Sequence, residues 1–132
     1  KGKLLMIIPD LKYLEKGGRI GKAGSAIAGM IQLKPILTLN QGEVTIEKKV
    51  IGERNAQKYI EKYIEDESRK QSLVVCTGWG GGPEELENIS KIHSEVGESS
   101  KITFAVLNRQ IGAVIGCHTG PVYGVFIFPK LS

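Results

Sequence analysis

Between residues 72 and 107 the chain reads SLVVCT, then PEELENISKIHSEV, then KITFAVL. A short apolar run, an amphipathic stretch with Leu86, Ile89, Ile92 and Val96 on one side, and a second apolar run make a strand-helix-strand unit. That order restricts the fold to classes that pack helices on a sheet. The flanking segments agree. Residues 54 to 70 carry Ala56, Tyr59, Ile60, Tyr63 and Ile64 at helical spacing against Lys58, Glu61, Lys62 and Glu65. LKPILTL and EVTIEKKV flank Asn40-Gln41-Gly42, so residues 33 to 51 read as a β-hairpin, with Pro35 expected on an edge or at a strand start. LLMII at 4 to 8 reads as a short strand and YGVFIF as a last one. Pro9 followed by LKYLEK starts a helix that Gly17-Gly18 ends, and Ile20, Ala23, Gly24, Ile27, Ala28 and Ile31 mark another, notably small in side-chain volume. The expected fold is α/β, a mixed β-sheet with packed helices.

Length and composition narrow the function classes. A chain of 132 residues suits one domain, here 1–132. It opens without an initiator Met on an apolar stretch, which reads as a strand that began mid-chain, so a fragment of a longer protein is expected. No apolar run reaches the roughly 18 residues of a membrane span or forms a signal segment, and a cytoplasmic location is expected. Cys76 and Cys117 lie far apart with no ligand spacing around them, so two free thiols and no zinc site are expected. Eighteen basic against 14 acidic side chains give a net charge of +4, with one Trp, four Tyr and three Phe. So few aromatics supply no basic-aromatic stacking surface for nucleic acid, whereas a modest positive patch suits an acidic ligand or protein.

Several short motifs carry chemistry. VVCTGWGGGPEEL resembles a phosphate-cradling turn between Gly78 and Pro83, but Glu84 and Glu85 fill the first helical turn and repel an anion, and no GK[ST] follows. A structural turn is the expectation there, with a nucleotide-binding α/β domain as an alternative. His93 reads as a partly buried helix residue, and Trp79 covers a cleft edge or packs on a strand. In GGRIGKAG, Arg19 and Lys22 are cations near a helix start, able to fork onto a carboxylate or phosphate or simply to face solvent. In IGCHTGPVYG, Cys117, His118 and Thr119 admit a nucleophile with its base, a metal, or an acidic group held by hydrogen bonds. Neighbours in an extended chain point to opposite sides, which weakens a Cys117–His118 dyad acting on an acyl substrate. Further metal ligands are missing at suitable spacing. Two readings stay open: His118 and Thr119 as donors around an acidic group, or a purely structural loop.

The blocks LKYLEKGGRIGKAGS, IQLKPILTLNQGEV and IGAVIGCHTGP, in that order, resemble the C-terminal domain of the DegV family, bacterial fatty-acid-binding proteins that serve fatty acid kinase. The resemblance runs from about Leu5 to Phe128. It implies a two-domain protein whose N-terminal domain, absent from these residues, closes with this one around one acyl chain. It also implies a carrier without turnover of its own: His118 helps hold the carboxyl group of a long-chain fatty acid, Arg19 lies near the head group, and Arg54 lies near the head group or on the kinase-docking face. No cofactor, membrane span or nucleic acid is implied. The chain departs from the family pattern at VIGERNA, where a basic residue commonly precedes the glycine, and at Val122-Tyr123, where a glycine-alanine pair is usual.

Overall fold

The strand-helix-strand unit organises one half of the fold. In the computed structural model, which describes residues 2–8, 33–110 and 122–130, it comprises β4 (Leu73–Gly80), α2 (Pro83–Val96) and β5 (Ile102–Gln110). β4 and β5 run parallel, as a helical crossover allows. β1 (Lys3–Ile7), β2 (Leu33–Asn40), β3 (Glu43–Ile51) and β6 (Val122–Pro129) join antiparallel, giving a six-stranded sheet in the order β3-β2-β1-β6-β4-β5. The remaining described helix, α1 (Glu53–Ser68), connects β3 to β4. The mixed sheet with packed helices is the architecture expected from the sequence.

Local chemistry sets the boundaries. Gln41 and Gly42 both take positive φ, 54° and 83°, as a tight two-residue hairpin turn requires, and Asn40 pairs with Glu43 across it. Pro83 opens α2 where a missing N–H costs nothing, and Gly97, at φ 69°, ends it by donating its N–H to the His93 carbonyl at 2.9 Å. Glu85 is buried in the first turn, and its backbone N–H donates to the Gly82 carbonyl at 3.1 Å.

Pro35 is the third residue of β2, opposite Lys49 of β3, and because the β1 ladder stops at Ile7–Ile36 the strand is locally an edge there, as expected of a proline. One sequence expectation needs correction: the glycines after Thr77 are not a loop. β4 continues through Gly80, with Gly78 opposite Gly124, which leaves only Gly81-Gly82 as the turn. The helices expected at 9–16 and 20–31 lie outside the described residues.

Strand alternation divides the core. On the helix side, Leu5, Ile7, Ile36, Val75, Tyr123, Val125 and Ile127 pack with Ala56, Ile60 and Ile64 of α1 and Ile89 and Ile92 of α2. His93 lies tilted against Phe104, ring centroids 4.3 Å apart, and Trp79 packs on this cluster from within β4. Met6, Ile8, Leu37 and Val122 form a second cluster on the opposite face.

Candidate functional site

The register brings one set of chain ends together. β1 ends opposite Tyr123 at Ile7, β4 ends opposite Val122 at Gly80, and Gln110 of β5 lies beside Trp79. At the same end β2 begins, with Leu33 opposite Ile51, and α1 follows directly after β3. The described residues that flank positions 9–32 and 111–121 in sequence thus all lie at this end of the sheet. Arg19 belongs to the first of these segments and Cys117, His118 and Thr119 to the second. All four lie outside the described residues.

Beneath this end lies a closed ring of hydrogen bonds linking α1, α2 and β6. The Tyr123 hydroxyl donates to Glu53 Oε2 at 2.7 Å, and Gln57 Nε2 donates to the Tyr123 oxygen at 3.1 Å and to Asn88 Oδ1 at 3.2 Å. Asn88 Nδ2 closes the ring on Glu53 Oε2 at 3.1 Å. Tyr123 and Gln57 are buried, and among the described residues no buried side-chain nitrogen or oxygen lacks a partner. Burial, reinforced by the Glu53 carboxylate, pushes the Tyr123 phenol far above its ordinary pKa of 10.0, so it stays protonated and donates. The ring fixes the start of β6 against both helices.

Arg54 stands next to Glu53 and extends this network to the surface. Its Nη1 donates to Gln57 Oε1 at 3.0 Å and to Glu61 Oε2 at 2.9 Å, and its Nη2 approaches Glu95 Oε1 at 3.8 Å. Glu61 is only 8% exposed, and burial raises its carboxyl pKa despite the facing guanidinium. The side chain of Arg54 keeps 44% of its area exposed, at one wall of an open groove of about 490 Å³ that Glu87, Ser90, Lys91, Ser94 and Glu95 complete. Among the described residues no cluster of His, Cys, Asp or Glu is placed to hold a metal, and no helix is long and apolar enough to cross a membrane.

Sequence reasoning missed all four ring members. The only local signal is polar Gln57 between buried Ala56 and Ile60 on α1, and Asn88 beside buried Ile89 on α2. Tyr123 was visible only as a departure from the glycine-alanine pair.

Comparison with known proteins adds independent findings. A family model described as "Uncharacterised protein, DegV family" matches residues 1–130. A DegV domain-containing protein of Clostridium acetobutylicum is 34% identical over 133 aligned residues, covering 97% of this chain and 45% of the relative. Another, from Caldanaerobacter subterraneus, is 30% identical over 96% of this chain and 44% of its own length. The chain thus spans less than half the length of these curated relatives. Among solved structures, a fatty-acid-binding DegV family protein of Thermus thermophilus superimposes with a TM-score of 0.81 at 28% identity, over 98% of this chain and 46% of that one. The fold is shared as well by DegV of Bacillus subtilis, with a TM-score of 0.77 at 23% identity over 98% and 45%.

Proposed function

Because the chain belongs to the DegV family, we propose that it is a fatty-acid-binding carrier domain, the C-terminal half of a two-domain cytoplasmic protein. It helps hold the carboxyl group of a long-chain fatty acid and presents it to a separate kinase that phosphorylates it. The observation that carries this reading is the match in fold and sequence, over nearly the whole chain, to a family member that binds fatty acid. Chemistry supports the assignment of roles. A carboxyl group drawn into an apolar site without hydrogen-bond partners costs several kcal/mol, so donors are needed at its head end. His118, Thr119 and Arg19 supply them, and the described residues flanking their two segments in sequence lie at one end of the sheet. Histidine suits the task, since it donates from either ring nitrogen and gains charge beside a carboxylate. Arg54, at that end and half exposed, serves kinase docking. The domain transfers no group itself, so Cys117 is dispensable.

The test uses the full-length protein. Lipid extraction and mass spectrometry of the purified protein are expected to yield fatty acid, and His118→Ala with the kinase is expected to lose most acyl phosphate formation while keeping the circular dichroism of the parent. A misplaced carboxyl group cannot meet the phosphoryl donor even when the tail still binds. A bound nucleotide, or an acylated Cys117, would overturn the carrier reading, and parental turnover in the variant would remove His118 from the site.

A further inference from the structure

Arg54 has partners of two kinds. Its Nη1 is committed to Gln57 Oε1 and to Glu61 Oε2, and its Nη2 leans on the other Glu61 oxygen at 3.4 Å. These bonds, all to α1, fix the plane of the guanidinium. The partner on α2 differs. Glu95 Oε1 stands 3.8 Å from Nη2, beyond hydrogen-bond reach, and 59% of its side chain is exposed. A pair so long and so wet contributes little to stability. Both residues nevertheless line the open groove, together with Lys91, which is exposed and forms no ion pair among the described residues. Among those residues nothing accepts from the Arg54 Nε either. The position of Arg54 is unusual as well, since it is the second residue of α1, where the helix dipole disfavours a cation.

We infer that Glu95 is a built-in competitor: it stands in for an acidic side chain of the kinase, which displaces it from Arg54 and settles between Arg54 and Lys91 when the two proteins meet. The inference rests on the docking role proposed above for Arg54. It adds the groove, the chemistry of the partner group and a residue that restrains the contact. Charge complementarity argues for a carboxylate. The fork left to a newcomer, Nη2 with Nε, matches two carboxylate oxygens, and Lys91 adds positive charge on the same groove. Glu61 is not the group exchanged, because it is buried and holds Arg54 through both oxygens. Glu95 is, since turning it into solvent breaks no hydrogen bond among the described residues. Exchanging one exposed carboxylate for another gains less than capture by an unengaged guanidinium, so Glu95 weakens docking without forbidding it. A carrier has to leave after delivery, and a side chain that reclaims Arg54 shortens the contact.

The test compares full-length proteins as substrates of the kinase, with acyl phosphate formation measured against carrier concentration. Glu95→Gln keeps the shape of the side chain and removes its charge. It should lower the half-saturating concentration by about two- to fivefold, the range that an exposed ion pair represents, with kcat and bound fatty acid unchanged. Lys91→Gln should raise that concentration. Glu84→Gln is the control, because it removes the same charge from an exposed position of α2 that does not line the groove, and it should match the parent. An unchanged or higher value for Glu95→Gln overturns the inference. An equal fall for Glu84→Gln overturns it too, by assigning the effect to the net charge of the helix. Parental protein that forms no acyl phosphate with the kinase would instead sink the carrier reading itself, so the two failures are told apart.

Discussion

The phenol of Tyr123 donates to the carboxylate of Glu53 at 2.7 Å, bolting the first turn of α1 to the strand that follows the His118 segment. Seventy residues separate the two in sequence. Removing the hydroxyl alone leaves the ring volume in place but deprives Glu53 and Gln57 of a partner in a largely buried network. Tyr123→Phe should therefore cost about 1–3 kcal/mol. In urea titration the midpoint should fall with an unchanged slope. A midpoint within error of the parent would mean that the three remaining members close the ring without it.

How much of this was legible beforehand depends on what each residue contributes to a pattern. β4, α2 and β5 could be read because their apolar residues follow one period throughout and because Pro83 and Gly97 mark the helix ends. The last residues of β4 could not: Gly78 and Gly80 have no side chains to alternate, and only pairing with Gly124 and Val122 makes them strand. The hydrogen-bonded ring was hidden for another reason. Glu53, Gln57, Asn88 and Tyr123 come from three elements, and each alone is an ordinary polar residue. Their meaning lies in long-range contact, which local periodicity does not encode. Of the proposed site residues, Arg54 alone falls among the described residues, and its links to Glu61 and Gln57 were not readable from VIGERNA.

Arg54 and Glu61 give a prediction with an internal control. Burial raises the folded pKa of Glu61 above its ordinary 4.5, and Arg54 opposes that rise. The contribution of Glu61 to stability is thus fully present below the unfolded pKa and declines as pH climbs through the folded one. Arg54→Ala lifts the folded value further, so it should destabilise by about 1–2 kcal/mol at pH 7, a figure held down by the exposure of the guanidinium. The deficit should shrink towards pH 4, where Glu61 is protonated with or without its partner. Glu61→Gln should cost less than Arg54→Ala at pH 7. Urea titrations at both pH values check this, and a pH-independent deficit would assign the effect to lost packing of the arginine stem.

Alkaline pH should probe a second clamp. Tyr59 donates to Glu47 Oε2 at 3.0 Å, and Glu47 is also bridged by Lys3 at 2.7 Å, so α1, β3 and β1 meet at one carboxylate. Burial first, then the bond to Glu47, pushes the Tyr59 phenol up to about 12. Above the ordinary tyrosine value of 10.0 the unfolded chain releases this proton while the folded chain keeps it. The folded state then binds more protons, and stability falls as pH rises from about 10 to 12. Tyr59→Phe should flatten that part of the profile, measured as denaturation midpoint against pH, and should leave the region below pH 9 parallel to the parent.

Gly124 shows how closely β1 and β6 approach. Its partner in register is Met6, and a Cβ added at Gly124 would run into the backbone carbonyl oxygen of Leu5 and lie 3.0 Å from the Met6 Cα. Both obstacles are main chain, so no rotamer change relieves them. β1 would have to move away from β6, loosening Leu5 and Ile7 from the helix-side core and Met6 from the opposite face. Overpacking of a rigid site usually costs about 1–3 kcal/mol, and Gly124→Ala should reach or exceed the top of that range because the neighbouring strand is central. Gly42→Ala makes the comparison, since a Cβ there meets nothing within 4 Å and the cost comes only from a φ of +83°. That variant should lose about 1 kcal/mol. Equal losses in the two variants, read from thermal or urea denaturation, would show that β1 and β6 can part without disturbing either core face.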